Sequence, residues 1–267
     1  MTLPPFAGAT RRLILINLAV FFVEPILAFF APATTGVVLG HLILEPAALL
    51  RGEIWQLVTY AFLPLSILGT ALVLLTLWFT GSYLEAIFGG RWLLEFYLVC
   101  TAGGAALASA ITFLHIPGLR PDTAIAGAFP PILALMVAFA VYAGDQDVRV
   151  MFVITMKAKY VVVILVLFSL AYLLKGQNPF GALTELSCAF VGYAYTRWAP
   201  RRGLRWSLSE RFFALRNEYY RAKRRRAAKK FEVYMRKQNR VVHFDKDGRY
   251  VDPDEARKNP NDKTWMN

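Results

Sequence analysis

Hydrolysis by a serine or cysteine nucleophile needs the nucleophile, a base within hydrogen-bond reach, and donors for the developing oxyanion. The chain carries three histidines, His41, His115 and His243, and two cysteines, Cys100 and Cys188. The hydropathy pattern puts the histidines in two loops and the tail, away from any apolar stretch that could bury a dyad. Ser187 stands two residues from Glu185, but residues so spaced on a helix do not face each other. Ser187/Glu185 and Cys188/Glu185 are therefore poor catalytic pairs. Glu185 lies inside an apolar stretch, where an ionised carboxylate costs about 2–4 kcal/mol. Its plainest reading is a protonated carboxyl hydrogen-bonded within a helix bundle. The functional alternatives are a polar contact for a partner or a proton site in a channel or transporter. No cofactor and no metal is implied. A calcium loop centred on Gly248 would put His243 at its first ligand position and Asp254 at its twelfth, where acidic ligands belong at both ends. Turn chemistry explains Asp247-Gly248 better.

The elements that must hold these residues are largely apolar. Of 267 residues 57% are hydrophobic, and the mean hydropathy is +0.43, too high for an ordinary soluble domain. Charge divides the chain. Residues 1–196 hold nine Lys/Arg and nine Asp/Glu, so the net charge of +12 comes entirely from 197–267, with twenty-one against nine. A neutral membrane body (1–198) followed by a basic, water-facing tail (199–267) is expected. Cys100 and Cys188 both fall in apolar stretches, read as buried thiols rather than a disulfide framework. Arg11-Arg12 precede an apolar run to Ala31, long enough for a retained span rather than a cleaved leader.

Six apolar segments follow one another at about 13–31, 57–80, 92–113, 124–143, 158–174 and 180–198. Six spans put both termini on one side. Arg11, Arg12, Arg91, Arg149, Lys157, Lys159 and the tail then share that side, against Arg51, Arg120 and Lys175 on the other. The positive-inside bias makes both termini cytoplasmic, and a bacterial inner membrane is the expected location. In the fourth segment Pro130-Pro131 can only occupy a first helical turn. That helix should start near Gly127 or Ala128, too short to cross alone, with its start shielded inside the bundle. In the tail, Ser207-x-x-Glu210 is a capping-box pattern. Leu208, Phe212, Leu215, Tyr219 and Ala222 form an apolar stripe, with Arg211, Arg216, Arg221, Lys223, Arg224, Arg225 and Arg226 around it. An amphipathic helix over about 207–230, lying on anionic lipid, is expected, rather than nucleic-acid binding. Residues 231–235 and 241–244 read as strand and hairpin around Asp245-Lys246-Asp247-Gly248, before a polar, extended end.

Gly52-Glu53-Ile54-Trp55-Gln56 through Phe62, then Gly81-Ser82-Tyr83-Leu84-Glu85, resemble the signature around the second transmembrane helix of rhomboid intramembrane serine proteases. Met156-Lys157-Ala158-Lys159-Tyr160 and Leu186-x-x-Ala189-x-x-Gly192 resemble parts of that family's fifth and sixth helices. The resemblance covers about residues 10–198. It implies an all-α, six-helix membrane bundle whose fourth helix begins at the nucleophile, with Trp55, Glu85, Gly127 and Gly192 as structural motif residues. It implies that Glu85 braces the turn between the second and third helices, and that the fourth helix packs through Gly127 and Ala128 on Ala189 and Gly192 of the sixth. It also implies that the chemistry is missing. Gly-x-Ser-Gly is replaced by Ala124-Ile125-Ala126-Gly127, the base position falls on Glu185, and the oxyanion pair falls on Gly69 and Val73. The arginine usual after the tryptophan is Gln56. The resemblance thus implies a pseudoprotease that binds integral membrane proteins or their transmembrane helices, as chaperone, quality-control factor or subunit of a complex. An active protease with an unconventional dyad, and a channel or transporter using Glu185, are the alternatives.

Overall fold

Proline and glycine punctuation sets the helix limits in a computed structural model, which describes residues 4–64, 66–114, 116–150, 154–176, 178–198, 204–237, 242–244 and 250–251. Gly8, at φ +64°, starts α1 (Gly8–Phe30). After the break at Ala31, Pro32 occupies the first turn of α2 (Pro32–Leu42), where its missing amide is no loss. Two short helices, α3 (Pro46–Leu50) and α4 (Gln56–Thr59), lead to a 3-10 turn at Tyr60–Phe62. Leu63 is extended, as the residue before a proline prefers. The next helix starts afresh, with Ser66 accepting the Gly69 amide at 3.1 Å as its N-cap.

That helix corrects the expected second segment. The apolar run 57–80 is broken at Leu63-Pro64, and the span comprises α5 (Ile67–Thr76), a π turn (Leu77–Gly81) and α6 (Ser82–Phe88). Gly81 to Glu85 therefore lie within the helix instead of at its exit. Gly89, at φ +86°, ends it and turns the chain into α7 (Gly90–Thr112). Next come α8 (Phe129–Ala143), with both prolines in its first turn, and a hairpin of β1 (Asp147–Val150) and β2 (Ile154–Lys157). Its strands are antiparallel, Asp147 opposite Lys157 and Val150 opposite Ile154, and this hairpin was not foreseen from sequence. Helix α9 (Ala158–Lys175) ends at the left-handed Gly176, and Asn178 caps α10 (Pro179–Trp198) by accepting the Gly181 amide.

Four of these units are long and apolar enough to cross a membrane: α1, α5–α6, α7 and α9. At 15 residues α8 is too short to do so alone, and α10 is richer in polar and small residues. Their positions account for both departures. Helix α10 packs against α7, α8 and α9, and residues 130–135 of α8 are all buried. Protein covers much of both, though Val141, Phe190 and Tyr193 remain exposed. By contrast α1 and α9 are each only 17% buried over their most apolar window, leaving leucine, valine and phenylalanine side chains for hydrocarbon. The backbones of α7 and α10 approach closely, since a Cβ on Gly104 would sit 2.7 Å from Cys188 Cα. Small residues at such crossings are how helices pack without a hydrophobic driving force.

The chain clusters into two units, Met1–Gly203 and Leu204–Asn267. In the second, α11 (Leu204–Lys237) is longer than expected and absorbs residues 231–235, which were expected to form a strand. Ser207 lies inside this helix rather than at its start. Antiparallel β3 (His243–Phe244) and β4 (Tyr250–Val251) form the expected hairpin, with Phe244 edge-on to Phe231 and Tyr250. The turn at 245–248 and the end at 252–267 lie outside the described residues.

Candidate functional site

The loop entering α8 has to leave regular structure without orphaning its amides. Ile125 solves this by exchanging both backbone hydrogen bonds with Leu44, each at 2.9 Å. The Gly127 amide then donates to the Tyr60 carbonyl at 2.9 Å. Gly127 is at φ +109°, a conformation that side chains with a Cβ resist. Buried Leu44, Tyr60 and Ile125 join Ala105 and Ala108 of α7 and Phe180 of α10 in one cluster. Ala126, half-buried between Ile125 and Gly127, is thus held at a firmly built turn immediately before α8. It presents a methyl group, which can neither attack nor donate.

Tyr60 carries the scaffold across to α7 and α10. Its hydroxyl donates to the Thr101 carbonyl at 3.4 Å and lies 3.7 Å from Cys188 Sγ. One turn before Cys188, half-buried Glu185 is engaged by α9: its Oε2 is 2.5 Å from Ser169 Oγ. That hydroxyl also lies 3.2 Å from the Leu165 carbonyl oxygen. One proton cannot serve two acceptors. With Glu185 neutral, its hydroxyl donates to Ser169, and Ser169 donates to Leu165. With Glu185 ionised, Ser169 turns its proton to the carboxylate. The turn holding Ala126 shares, through Ile125, a core cluster with Phe180 of α10, with Leu183 packed against it, whereas Glu185 bonds Ser169 of α9. Gly69 and Val73 are half-buried on α5, which has no buried residue, and neither has a polar side-chain atom.

Two polar constellations were only partly legible in the sequence. Gln56, fully buried, accepts the Glu45 amide at 2.9 Å through Oε1 and donates to Glu53 Oε2 at 2.8 Å through Nε2. Glu53 Oε2 also meets His41 Nδ1 at 3.1 Å, and the Trp55 indole donates to the His41 carbonyl at 2.8 Å. Trp55 and Gln56 thereby fold the loop between α2 and α4 upon itself. The second concerns Glu85. Its carboxyl lies against Gly90 at the turn into α7 and also reaches α1, accepting the Ala9 and Thr10 amides at 2.7 and 2.9 Å and the Thr10 hydroxyl at 2.7 Å. Gly8 and Gly90 leave the room, for a Cβ at either would strike the Glu85 carboxyl.

Gly192 corrects another expectation. It crosses Ala134, whose Cβ would lie 2.9 Å from a Cβ at Gly192, rather than Gly127 and Ala128 at the start of α8. On α11, Arg216, Arg221, Lys223, Arg224, Arg225 and Arg226 are exposed. The side chain of Arg211 and the whole of His115 lie outside the described residues. Outside the spans, the Lys159 ammonium at 2.7 Å, with Lys157 at 3.8 Å, holds the exposed Asp145 carboxyl below its ordinary pKa.

Residues 14–213 match the family described as Eukaryotic integral membrane protein (DUF1751), which lies within the rhomboid-like superfamily. That description is eukaryotic, against the bacterial inner membrane expected above. No curated protein matches the chain. With most of the bundle and the start of the tail helix covered by the match, and apolar helices of spanning length in the structure, the chain is a multi-pass integral membrane protein belonging to the DUF1751 family.

Proposed function

We propose that this protein is a non-catalytic rhomboid-like membrane protein that binds other membrane proteins through their transmembrane helices. The observation carrying the proposal is the turn before α8. Its backbone is held by Leu44 and Tyr60, as a nucleophile would require, yet its side chain is the methyl of Ala126. The resemblance assigns the base position to Glu185, whose carboxyl pairs with the Ser169 hydroxyl on α9, and Gly69 and Val73 have no side-chain donor. Without nucleophile, imidazole or donors, helix binding proceeds without cleavage. Ser109, buried in α7, offers no evident substitute, since among the described residues its Oγ has no hydrogen-bond partner. In this proposal α8 and α10 complete six spans, both termini are cytoplasmic, and the basic face of α11 rests on anionic lipid. The output is chaperoning, quality control or membership of a larger complex.

Serine-directed fluorophosphonate labelling of the purified protein tests the chemistry. No labelling, and no cleavage of reconstituted single-span substrates, is expected. Labelling lost on mutating Ser109 or Ser187 would instead favour a protease with an unconventional dyad.

A further inference from the structure

We infer that Glu185 is a recognition point for a basic residue within the transmembrane helix of a client, deepening the helix-binding function proposed above and resting on it. Three observations carry this. Glu185 stands six residues into α10, and its partner Ser169 stands six residues before the end of α9. Both therefore lie about 9 Å inside the helix ends, beneath the surface of the apolar layer. The carboxyl is only half-buried and among the described residues has a single side-chain partner, Ser169 Oγ at 2.5 Å, which leaves acceptor capacity for another donor. Finally, among the described residues no Lys or Arg lies inside the bundle to neutralise it. The described basic residues of the body sit near helix ends or in loops, and among the described residues Glu185 makes no ion pair.

The flank beside it is also largely open. Besides Ala158 and Val162 near its start, α9 buries only Ser169, and its Leu167, Phe168 and Leu170 are exposed. Ser169 itself is buried, so a client helix would reach the half-buried Glu185 along the seam between α9 and α10. Among intramembrane side chains, Lys and Arg gain most there. Each is costly in hydrocarbon, and a carboxylate gives it a charged partner. Ser169 would then turn its proton from the Leu165 carbonyl to Glu185, stabilising the ionised form opposite the cation.

The test uses the full chain in lipid nanodiscs. Two single-span polyleucine peptides serve as probes, one with a lysine about six residues inside one end and one with leucine there. The lysine peptide is expected to bind about tenfold or more tightly than its control. Glu185→Gln keeps the size of the side chain and should erase the difference. A diazirine beside the peptide lysine should label α9 and α10 around Ser169 and Glu185 in the wild-type protein, an outcome independent of any variant's folding. Equal affinity for the two peptides, or labelling on α1 instead, would overturn the assignment of Glu185 while leaving helix binding intact. Failure of both peptides to bind would remove helix binding and this inference together.

Discussion

Glu85 accepts the amides of Ala9 and Thr10 together with the Thr10 hydroxyl, so a side chain near the end of one span closes the open amides at the start of another. Glu85→Ala leaves these donors without their partner and should cost about 1–3 kcal/mol. Thr10→Val, which removes one of the three bonds, should cost about half as much or less. Denaturant titration in mild detergent measures both, and a Glu85→Ala protein as stable as wild type would show the contact to be idle. Residue type alone made part of this visible. Glu85 was legible as structural, but its partner was not, because nothing local in the chain ties residue 85 to residues 9 and 10. The same holds for Gln56, whose neighbours in the sequence do not disclose the Glu45 amide eleven residues away. On the proposed reading, Ala126→Ser combined with Glu185→His should be tolerated by the fold. It should give at most trace proteolysis, since Gly69 and Val73 still offer no donor. A peptide-cleavage assay with rates near those of an ordinary protease would contradict that.

At the scale of elements, helix existence was easier to read than helix limits. The apolar runs of α1, α7, α9 and α10 announce themselves, and Pro130-Pro131 mark the start of α8 because proline fits a helix interior so badly. The second span was misread because apolarity continues across Leu63-Pro64, while the break is set by Pro64 and the Ser66 cap. Apolar composition carries no signal for such a break. Packing partners were less legible still, as Gly192 shows by crossing Ala134. Gly192→Leu should therefore separate α10 from α8 and destabilise the protein by about 1–3 kcal/mol, the usual cost of overpacking. Gly192→Ala should cost less, and thermal unfolding in detergent distinguishes the two. The β1–β2 hairpin offers a pH test. Asp145 is held below its ordinary pKa by Lys159 and Lys157. Its contribution is present above the unfolded-state pKa of about 4 and fades as pH falls through the lower folded value. Asp145→Asn should thus lower hairpin protection from amide exchange at pH 7 and have no effect at strongly acid pH. Equal protection of the two proteins at pH 7 would refute the clamp.

Over the whole molecule, the charge division near residue 197 falls close to the boundary between the two units at 203/204. The body presents apolar side chains outward, and α11 carries twelve Lys/Arg against three Asp/Glu along about 51 Å of helix. A peptide of residues 204–237 should bind vesicles containing anionic lipid and be released by salt, each basic residue near the surface contributing about 1 kcal/mol. Equal binding to neutral vesicles would assign the helix to a protein partner instead. Membership of the rhomboid-like superfamily fits the order of motifs along the body, whereas the proposed lack of nucleophile and base rests on this chain's own Ala126 and Glu185. Capture without cleavage is the most direct test of that combination. A single-span substrate with a photo-crosslinker in its transmembrane helix is reconstituted with the wild-type protein, irradiated, and analysed by mass spectrometry. A covalent adduct containing the full-length substrate, with no cleavage product after prolonged incubation, is expected. Substrate cut within its span, or left uncrosslinked at every position tried, would contradict a non-catalytic helix-binding role.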